Sequence, residues 1–252
     1  MKLRDTVIEA ARSVLQKDEL LRIRFPDVDK GVLDIFSKVK RYTMTSPERV
    51  IALCAAVKYI ADHDIVGDIV ECGVWRGGSS MAAALMLLGL DRADRRLYLF
   101  DTFQGMSPPT QHDRRARDLT DAEKLLNSAS REDKIWCYSP LEEVRRNLAS
   151  TGYPGERLAF VEGRVEETIP ARAPERIALL RLDTDWYEST RHELEHLFPR
   201  LSVGGVLIVD DYGAWEGARR AVDEYIEKTG ARLMLNRIDE TGRIAIKLQD
   251  EG

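Results

Sequence analysis

Apolar residues recur at helical spacing through the first quarter of the chain, then give way to short, nearly continuous apolar runs. Residues 5–17 carry Val7, Ala11, Val14 and Leu15 near the spacing of one helix face. Phe25-Pro-Asp-Val-Asp29 breaks that pattern, and 33–39 resumes it. Ser46 before Pro47 is a helix start, with Ser46 as N-cap and Pro47 at the first helical position. Val50, Leu53, Cys54, Val57, Ile60 and Ala61 then fall on one stripe.

Beyond Gly67 the runs predict strands at 68–72, 97–100, 158–162, 177–182 and 204–209, with helices at 79–90, 187–199 and 217–228 between and after them. Ser139-Pro-Leu-Glu142 predicts a capping box that opens a helix ending near Gly152, and 121–128 predicts a short helix. Residues 232–238 and 243–247 predict a closing antiparallel hairpin. Alternating strands and helices imply an α/β fold: a mostly parallel sheet with helices on both faces, seven-stranded once the hairpin is counted, behind an N-terminal helical extension. The division expected is 1–62 for that extension and 63–252 for the catalytic domain. Residues 102–120 carry two adjacent prolines and scattered charges. They read as a long loop, of the kind that is functional or mobile; a mobile segment is expected at 103–120.

Composition narrows the class. The 252 residues include 38 basic and 43 acidic side chains, for a net charge of −5, which argues against a nucleic-acid binder. No apolar run approaches the length of a membrane span, and the first residues lack the apolar centre of a signal peptide. Cys54, Cys72 and Cys137 form neither a disulfide framework nor a zinc pattern. The expectation is a soluble cytoplasmic protein with no nucleic-acid or membrane partner. Apolar faces in residues 1–41 point to a homodimer or larger homo-oligomer.

The chemistry lies where the strands end. Glu71, Asp101, Asp183 and the Asp210-Asp211 pair stand at or beside strand C-termini, with Glu162 and Glu166 near another; ligands of open α/β sheets bind there. Glu71-Cys-Gly73-Val-Trp75-Arg-Gly77-Gly-Ser79 joins the first strand to its helix. Its glycines permit a tight turn and close approach of a ligand backbone. The spacing is not that of a nicotinamide site, and Glu71 suits an ammonium better than a pyrophosphate. Asp101, 28 residues after Gly73, is placed to accept two ribose hydroxyls. An amino-acid-bearing nucleoside, S-adenosylmethionine, satisfies both features. Asp183 and Asp210-Asp211 end neighbouring strands, where three carboxylates repel unless a cation joins them. Oxygen-only ligands select a hard cation, Mg²⁺ or Mn²⁺. Read instead as helix N-caps, these acids need no metal; Asp185, before Tyr187, reads as such a cap. The glycine loop and the aspartates lie on different strands, at the same edge of the sheet. Asp183-Thr-Asp185 is also a literal D-x-D, which leaves a metal-dependent glycosyltransferase as an alternative, and a non-catalytic S-adenosylmethionine-binding protein as another.

The strings Val70-Glu-Cys-Gly-Val-Trp-Arg-Gly-Gly-Ser-Ser80, Leu99-Phe-Asp-Thr-Phe-Gln-Gly-Met106, Asn147-Leu-Ala-Ser-Thr-Gly-Tyr-Pro154, Val165-Glu-Glu-Thr-Ile-Pro170, Leu182-Asp-Thr-Asp-Trp-Tyr-Glu-Ser-Thr190 and Val209-Asp-Asp-Tyr-Gly213 resemble the macrocin O-methyltransferase family. The resemblance runs from about Tyr42 to Lys228. It implies the Rossmann-like class I methyltransferase fold, S-adenosylmethionine, and a divalent metal. It also implies methyl transfer to a sugar hydroxyl of a glycosylated natural product, as in antibiotic biosynthesis. By motif, Glu71, Gly73, Trp75, Gly77 and Ser79 would lie on the methionine side, Asp101 at the ribose, and Val165 and Glu166 beside the adenine. Asp183, Asp210 and Asp211 would hold the metal, with Asp183 also the suspected base. Catechol O-methyltransferases resemble this layout but place a lysine shortly after the first aspartate; here Trp186 stands three residues on, which leaves the base open. Residues 1–41 and 103–120 match the family poorly, and they are the segments expected to touch the acceptor. Tyr42 and Met44 are expected near the methyl donor, with Trp186 and Tyr212 as an apolar wall. His112 and Arg114, Arg115 and Arg117 read as solvated loop residues, and His63, His192 and His196 as structural or surface residues.

Overall fold

A computed structural model describes residues 17–250. The helix expected at 5–17 lies almost wholly outside the described residues. The chain enters through helices α1 (Lys17–Arg24), α2 (Lys30–Val39) and α3 (Pro47–Asp62). Ser46 caps α3 as expected, its hydroxyl accepting from Arg49 N at 3.2 Å.

Strands β1 (Asp68–Cys72), β2 (Leu97–Asp101), β3 (Leu158–Glu162), β4 (Ile177–Leu182) and β5 (Leu201–Val209) are parallel. The short β6 (Asn236–Arg237) and β7 (Arg243–Ile246) add the antiparallel edge. The sheet order is β3-β2-β1-β4-β5-β7-β6, the expected seven-stranded α/β arrangement. Between them run α4 (Gly78–Gly89), α5 (Ala122–Asn127), α6 (Leu141–Ala149), α7 (Val165–Thr168), α8 (Tyr187–Leu197) and α9 (Glu216–Thr229). Helix α6 starts one residue later than the capping-box reading, because Pro140 takes the cap position and Ser139 turns its hydroxyl to Glu143 at 3.4 Å.

Alternate strand residues divide between two cores, as a sheet buried on both faces requires. Ile69, Leu97, Leu99, Leu179, Val206 and Ile208 pack with α2, α3, α4 and α6. Val70, Phe100, Leu180, Leu182, Leu207 and Val209 pack with α7, α8 and α9. Helix α2 buries Leu33, Ile35 and Val39 within the chain, so the apolar face read as a surplus for assembly is covered here. No helix among the described residues is long and apolar enough to cross a membrane. The chain order reverses between β1 and β4, and the crevice of such a sheet opens at that switch point.

The 103–120 segment is anchored. Asp113, only 1% exposed, accepts from Tyr187 N at 2.7 Å and Thr110 N at 2.6 Å. Trp186 Nε1 donates to Ser107 O at 2.9 Å, and Arg115 bridges to Trp215. A third apolar cluster, including Trp186, Trp215, Ala122 and Leu126, lies beneath it. The loop expected to be mobile therefore has fixed buried anchors, because a short sequence window does not show which distant groups a polar loop reaches.

Candidate active site

One cavity of about 260 Å³ opens at the switch point and is lined by Glu71, Gly73, Trp75, Ser79, Asp101, Val165, Glu166, Asp183, Asp210 and Asp211. All the predicted site residues meet there except Gly77. That glycine is the left-handed N-cap of α4, φ 87°, and an added Cβ would lie 2.6 Å from Leu148. Gly73 takes φ 82°, and an added Cβ would lie 1.9 Å from Asp183 O. Gly78 likewise admits Tyr42 O, 2.9 Å from its N–H. The close approaches at Gly73 and Gly78 are made by the protein's own backbone, and that at Gly77 by the Leu148 side chain. They clamp the turn between β4 and the Tyr42–Thr45 segment, which covers the cavity.

Asp101 also has local work. Its Oδ2 accepts from Val74 N at 2.6 Å and Trp75 N at 3.0 Å, and its Oδ1 from Phe103 N at 2.7 Å. Burial raises its pKa, and these backbone donors oppose the rise. A carboxylate placed for a ribose is therefore also the clasp of the glycine loop, and little acceptor capacity is left over.

The aspartate cluster forms as expected, with one ligand oxygen from each of Asp183, Asp210 and Asp211 lying within 4.8 Å of the others. What the strand-end reading missed is the arginines. Arg181, 3% exposed, donates through Nη1 to Glu71 Oε1 at 2.8 Å and Asp183 Oδ2 at 2.7 Å. Through Nη2 it reaches Asp210 Oδ1 at 2.5 Å and Thr45 Oγ1 at 3.3 Å. Arg49, from α3, places Nη1 on Asp210 Oδ2. Repulsion among the acids is thus partly met by guanidinium groups, and it is not by itself an argument for a metal. Arg181 also joins Glu71, where the glycine loop begins, to Asp183 and Asp210. Glu71 takes Ser80 Oγ on its other oxygen and still lines the cavity. The alternation of β4 could have revealed Arg181: it falls on the same face as Leu179, among apolar neighbours, where a charge requires partners.

A metal still fits. Asp211 Oδ2 is buried with no hydrogen-bond partner. Burial, then the charges of Asp185 and Asp210, hold the Asp211 carboxyl well above the usual range. Burial does the same for Asp183 against the opposing pull of Arg181. An orphaned buried oxygen facing an oxygen-only donor set suits a hard divalent cation.

Asp185 is the other residue the sequence reading misassigned. It is not a cap, since Trp186 takes that position on α8. It lies in the left-handed region at φ 67°, lines the cavity and accepts from Trp215 Nε1 at 2.6 Å. Burial, then Asp183, pushes its pKa up to about 8. Trp75 and Cys137, also left-handed, line the same cavity; strained backbone gathers where a site is shaped.

Tyr42 and Met44 line the cavity as expected. Trp186 and Tyr212 do not. Trp186 is buried under the loop, and Tyr212 turns outward, its hydroxyl on Asp223 at 2.8 Å between Arg219 and Arg243. His112 faces away, against Tyr187 and within 3.0 Å of Arg220 Nη1. Arg114 pairs with Glu216, and Arg115 and Arg117 with Asp118. His63 packs on Tyr59, and His192 on His196.

Comparison with known proteins identifies the family and supports the fold. The Macrocin-O-methyltransferase (TylF) family profile matches residues 31–246. A Streptomyces olivaceus protein, 8-demethyl-8-(2,3-dimethoxy-alpha-L-rhamnosyl)-tetracenomycin-C 4'-O-methyltransferase, is 36% identical over 86% of this chain and 80% of its own length. Mycinamicin III 3''-O-methyltransferase of Micromonospora griseorubida is 34% identical over 80% of this chain and 76% of its own. The solved structure of the O-methyltransferase NovP superposes with a TM-score of 0.72 at 33% identity, covering 82% of this chain and 83% of that one.

Proposed function

The chain belongs to the macrocin-O-methyltransferase family, a family of S-adenosylmethionine-dependent O-methyltransferases, and from that premise we propose that it methylates a sugar hydroxyl of a glycosylated natural product with the help of Mg²⁺ or Mn²⁺. The observation that carries this reading is the single cavity lined by the glycine loop and the three aspartates, where Arg181 ties Glu71 to Asp183 and Asp210. The relatives named above methylate a rhamnosyl tetracenomycin and a mycinamicin, which supports a glycoside acceptor.

In this reading the N-terminus of α4, with buried Ser79, receives the methionine carboxylate, where unpaired amides and the helix dipole favour an anion. Asp101 keeps the loop in shape, and Val165 and Glu166 flank the base. Asp183, Asp210 and Asp211 hold the cation, which supplies Lewis acidity toward a hydroxyl when bound. S-adenosylmethionine would supply the methyl group, passing it from sulfur to the acceptor oxygen and leaving as S-adenosylhomocysteine, while a carboxylate of this chain would take the hydroxyl proton. Asp183 Oδ2 is held by Arg181. Asp185 carries no guanidinium: it accepts from Trp215 Nε1 and lies beside Asp183 and Asp211, and we assign it the proton. The protein's remaining contribution is alignment.

Three free cysteines support a reducing, cytoplasmic setting. A homo-oligomer built through residues 1–41 is part of the same reading, and a monomeric mass by light scattering refutes that part. The base assignment is tested with labelled S-adenosylmethionine and a panel of glycosides at saturating Mg²⁺. Asp185→Asn should lose about 10²–10⁴ in kcat while Mn²⁺ affinity is kept, and Asp183→Asn should lose Mn²⁺ affinity. Full kcat in Asp185→Asn returns the base to Asp183.

A further inference from the structure

The two guanidinium groups at the aspartate cluster differ in how they are held. Arg181 rises from the middle of the sheet, is 3% exposed, and has a hydrogen bond for each Nη. Arg49 comes from α3, its side chain is 15% exposed, and its bonding is incomplete. Its Nη1 lies on Asp210 Oδ2. Its Nε lies 2.9 Å from Asp239 Oδ2, yet this buried N–H makes no hydrogen bond, because the angle is wrong while Nη1 is committed elsewhere. Asp239 is itself fixed, accepting from Ser46 Oγ at 2.5 Å, Thr241 N at 2.9 Å and Gly242 N at 2.8 Å. Arg49 therefore stands between two carboxylates, satisfied by one and misaligned on the other.

That position bears on the cation. Asp183 Oδ1 and Asp211 Oδ2 carry no guanidinium, whereas both oxygens of Asp210 do. A divalent cation using Asp210 must approach an oxygen held either by Arg181, fixed within the sheet, or by Arg49, which has a second carboxylate to turn to, in both cases against the repulsion of a like charge. We propose that Arg49 is an internal counter-ion that competes with the divalent cation for Asp210 and transfers to Asp239 when the cation binds. Release of Asp210 lets Arg49 align Nε on Asp239 and gain the hydrogen bond it lacks, which offsets part of the bond given up. Arg49 is thus a positioning residue for cation loading. This inference rests on the reading of the cluster as a cation site.

The test uses Mn²⁺ as probe and the full chain, without acceptor. Mn²⁺ affinity is measured by electron paramagnetic resonance for the wild type, Arg49→Gln and Asp211→Asn, and the Mn²⁺-loaded wild type is crystallised. Competition predicts that Arg49→Gln binds Mn²⁺ tighter by about tenfold or more, within the ~10–100-fold range over which groups flanking a ligand tune metal affinity. It also predicts Arg49 on Asp239 and off Asp210 in the loaded crystal. Unchanged or weaker binding by Arg49→Gln overturns the proposal, as does a loaded crystal with Arg49 still on Asp210 Oδ2. The crystal result stands even if the variant fails to fold. Binding by the wild type that Asp211→Asn abolishes upholds the cation reading whichever way Arg49 behaves. Absence of Mn²⁺ binding in both the wild type and Arg49→Gln overturns that reading and this proposal together.

Discussion

Asp211→Asn should stabilise the metal-free protein while removing its activity. Asp211 is 9% exposed, its Oδ2 has no hydrogen-bond partner, and the cluster's ligand oxygens lie within 4.8 Å of one another. At that separation and an effective dielectric of about 20, two unit charges repel by roughly 3 kcal/mol, an effect expressed at alkaline pH, above the raised pKa of the Asp211 carboxyl. Arg181 and Arg49 already neutralise much of the charge on Asp183 and Asp210, so only part of this is recovered. Asp211 also faces Asp183 and Asp185, toward which an amide can donate and an ionised carboxylate cannot. The net gain expected is about 1–2 kcal/mol, or ~2–8 °C in Tm for a chain of this size. Differential scanning calorimetry in EDTA at alkaline pH measures it. With saturating Mg²⁺ the order should reverse, since the wild type alone gains binding energy from the cation. A lower Tm for Asp211→Asn in EDTA refutes the account of a repulsive cluster shaped for a cation.

Gly73→Ala should fail to give soluble protein, or lose more than about 3 kcal/mol, because its Cβ would lie 1.9 Å from Asp183 O at φ 82°; a near-wild-type melt contradicts that packing. Asp101→Ala should destabilise the protein even without cofactor, by roughly 2–4 kcal/mol, since three backbone N–H groups lose their acceptor. If it weakens only S-adenosylmethionine binding in calorimetry, Asp101 is a ribose ligand and not a clasp. Trp186→Phe should keep the fold, lose about 1 kcal/mol with the bond to Ser107 O, and make residues 103–120 more sensitive to limited proteolysis; unchanged cleavage contradicts the anchoring of the loop.

The fold was legible because its strands are apolar runs that end in acids. Val70, Phe100, Leu180 and Val209 each sit in a run that only a sheet covered on both faces accommodates, and the intervening helices carry clear starts such as Ser46. The acids at the strand ends were legible for the same reason, as the pitch of the sheet brings them to one edge. Arg181 and Arg49 were not. Arg181 sits one residue before a strong motif, and Arg49 reaches the cluster across 161 positions of sequence. A side chain's choice of partner at that range depends on packing that no local pattern encodes. Asp185 failed differently: an acid two residues before a helix imitates a cap, and only its left-handed backbone turns it into the cavity. Trp186 failed because adjacency to an aspartate does not set direction. Its neighbour faces the site, and it faces the loop.

The most direct measurement of the central claim is transfer of labelled methyl from S-adenosylmethionine to a glycoside panel, run with EDTA and then with Mg²⁺ restored. The account predicts a methylated sugar hydroxyl on at least one glycoside, turnover abolished in EDTA, and recovery on adding Mg²⁺. Undiminished turnover in EDTA, or methyl transfer only to acceptors without a sugar, contradicts it.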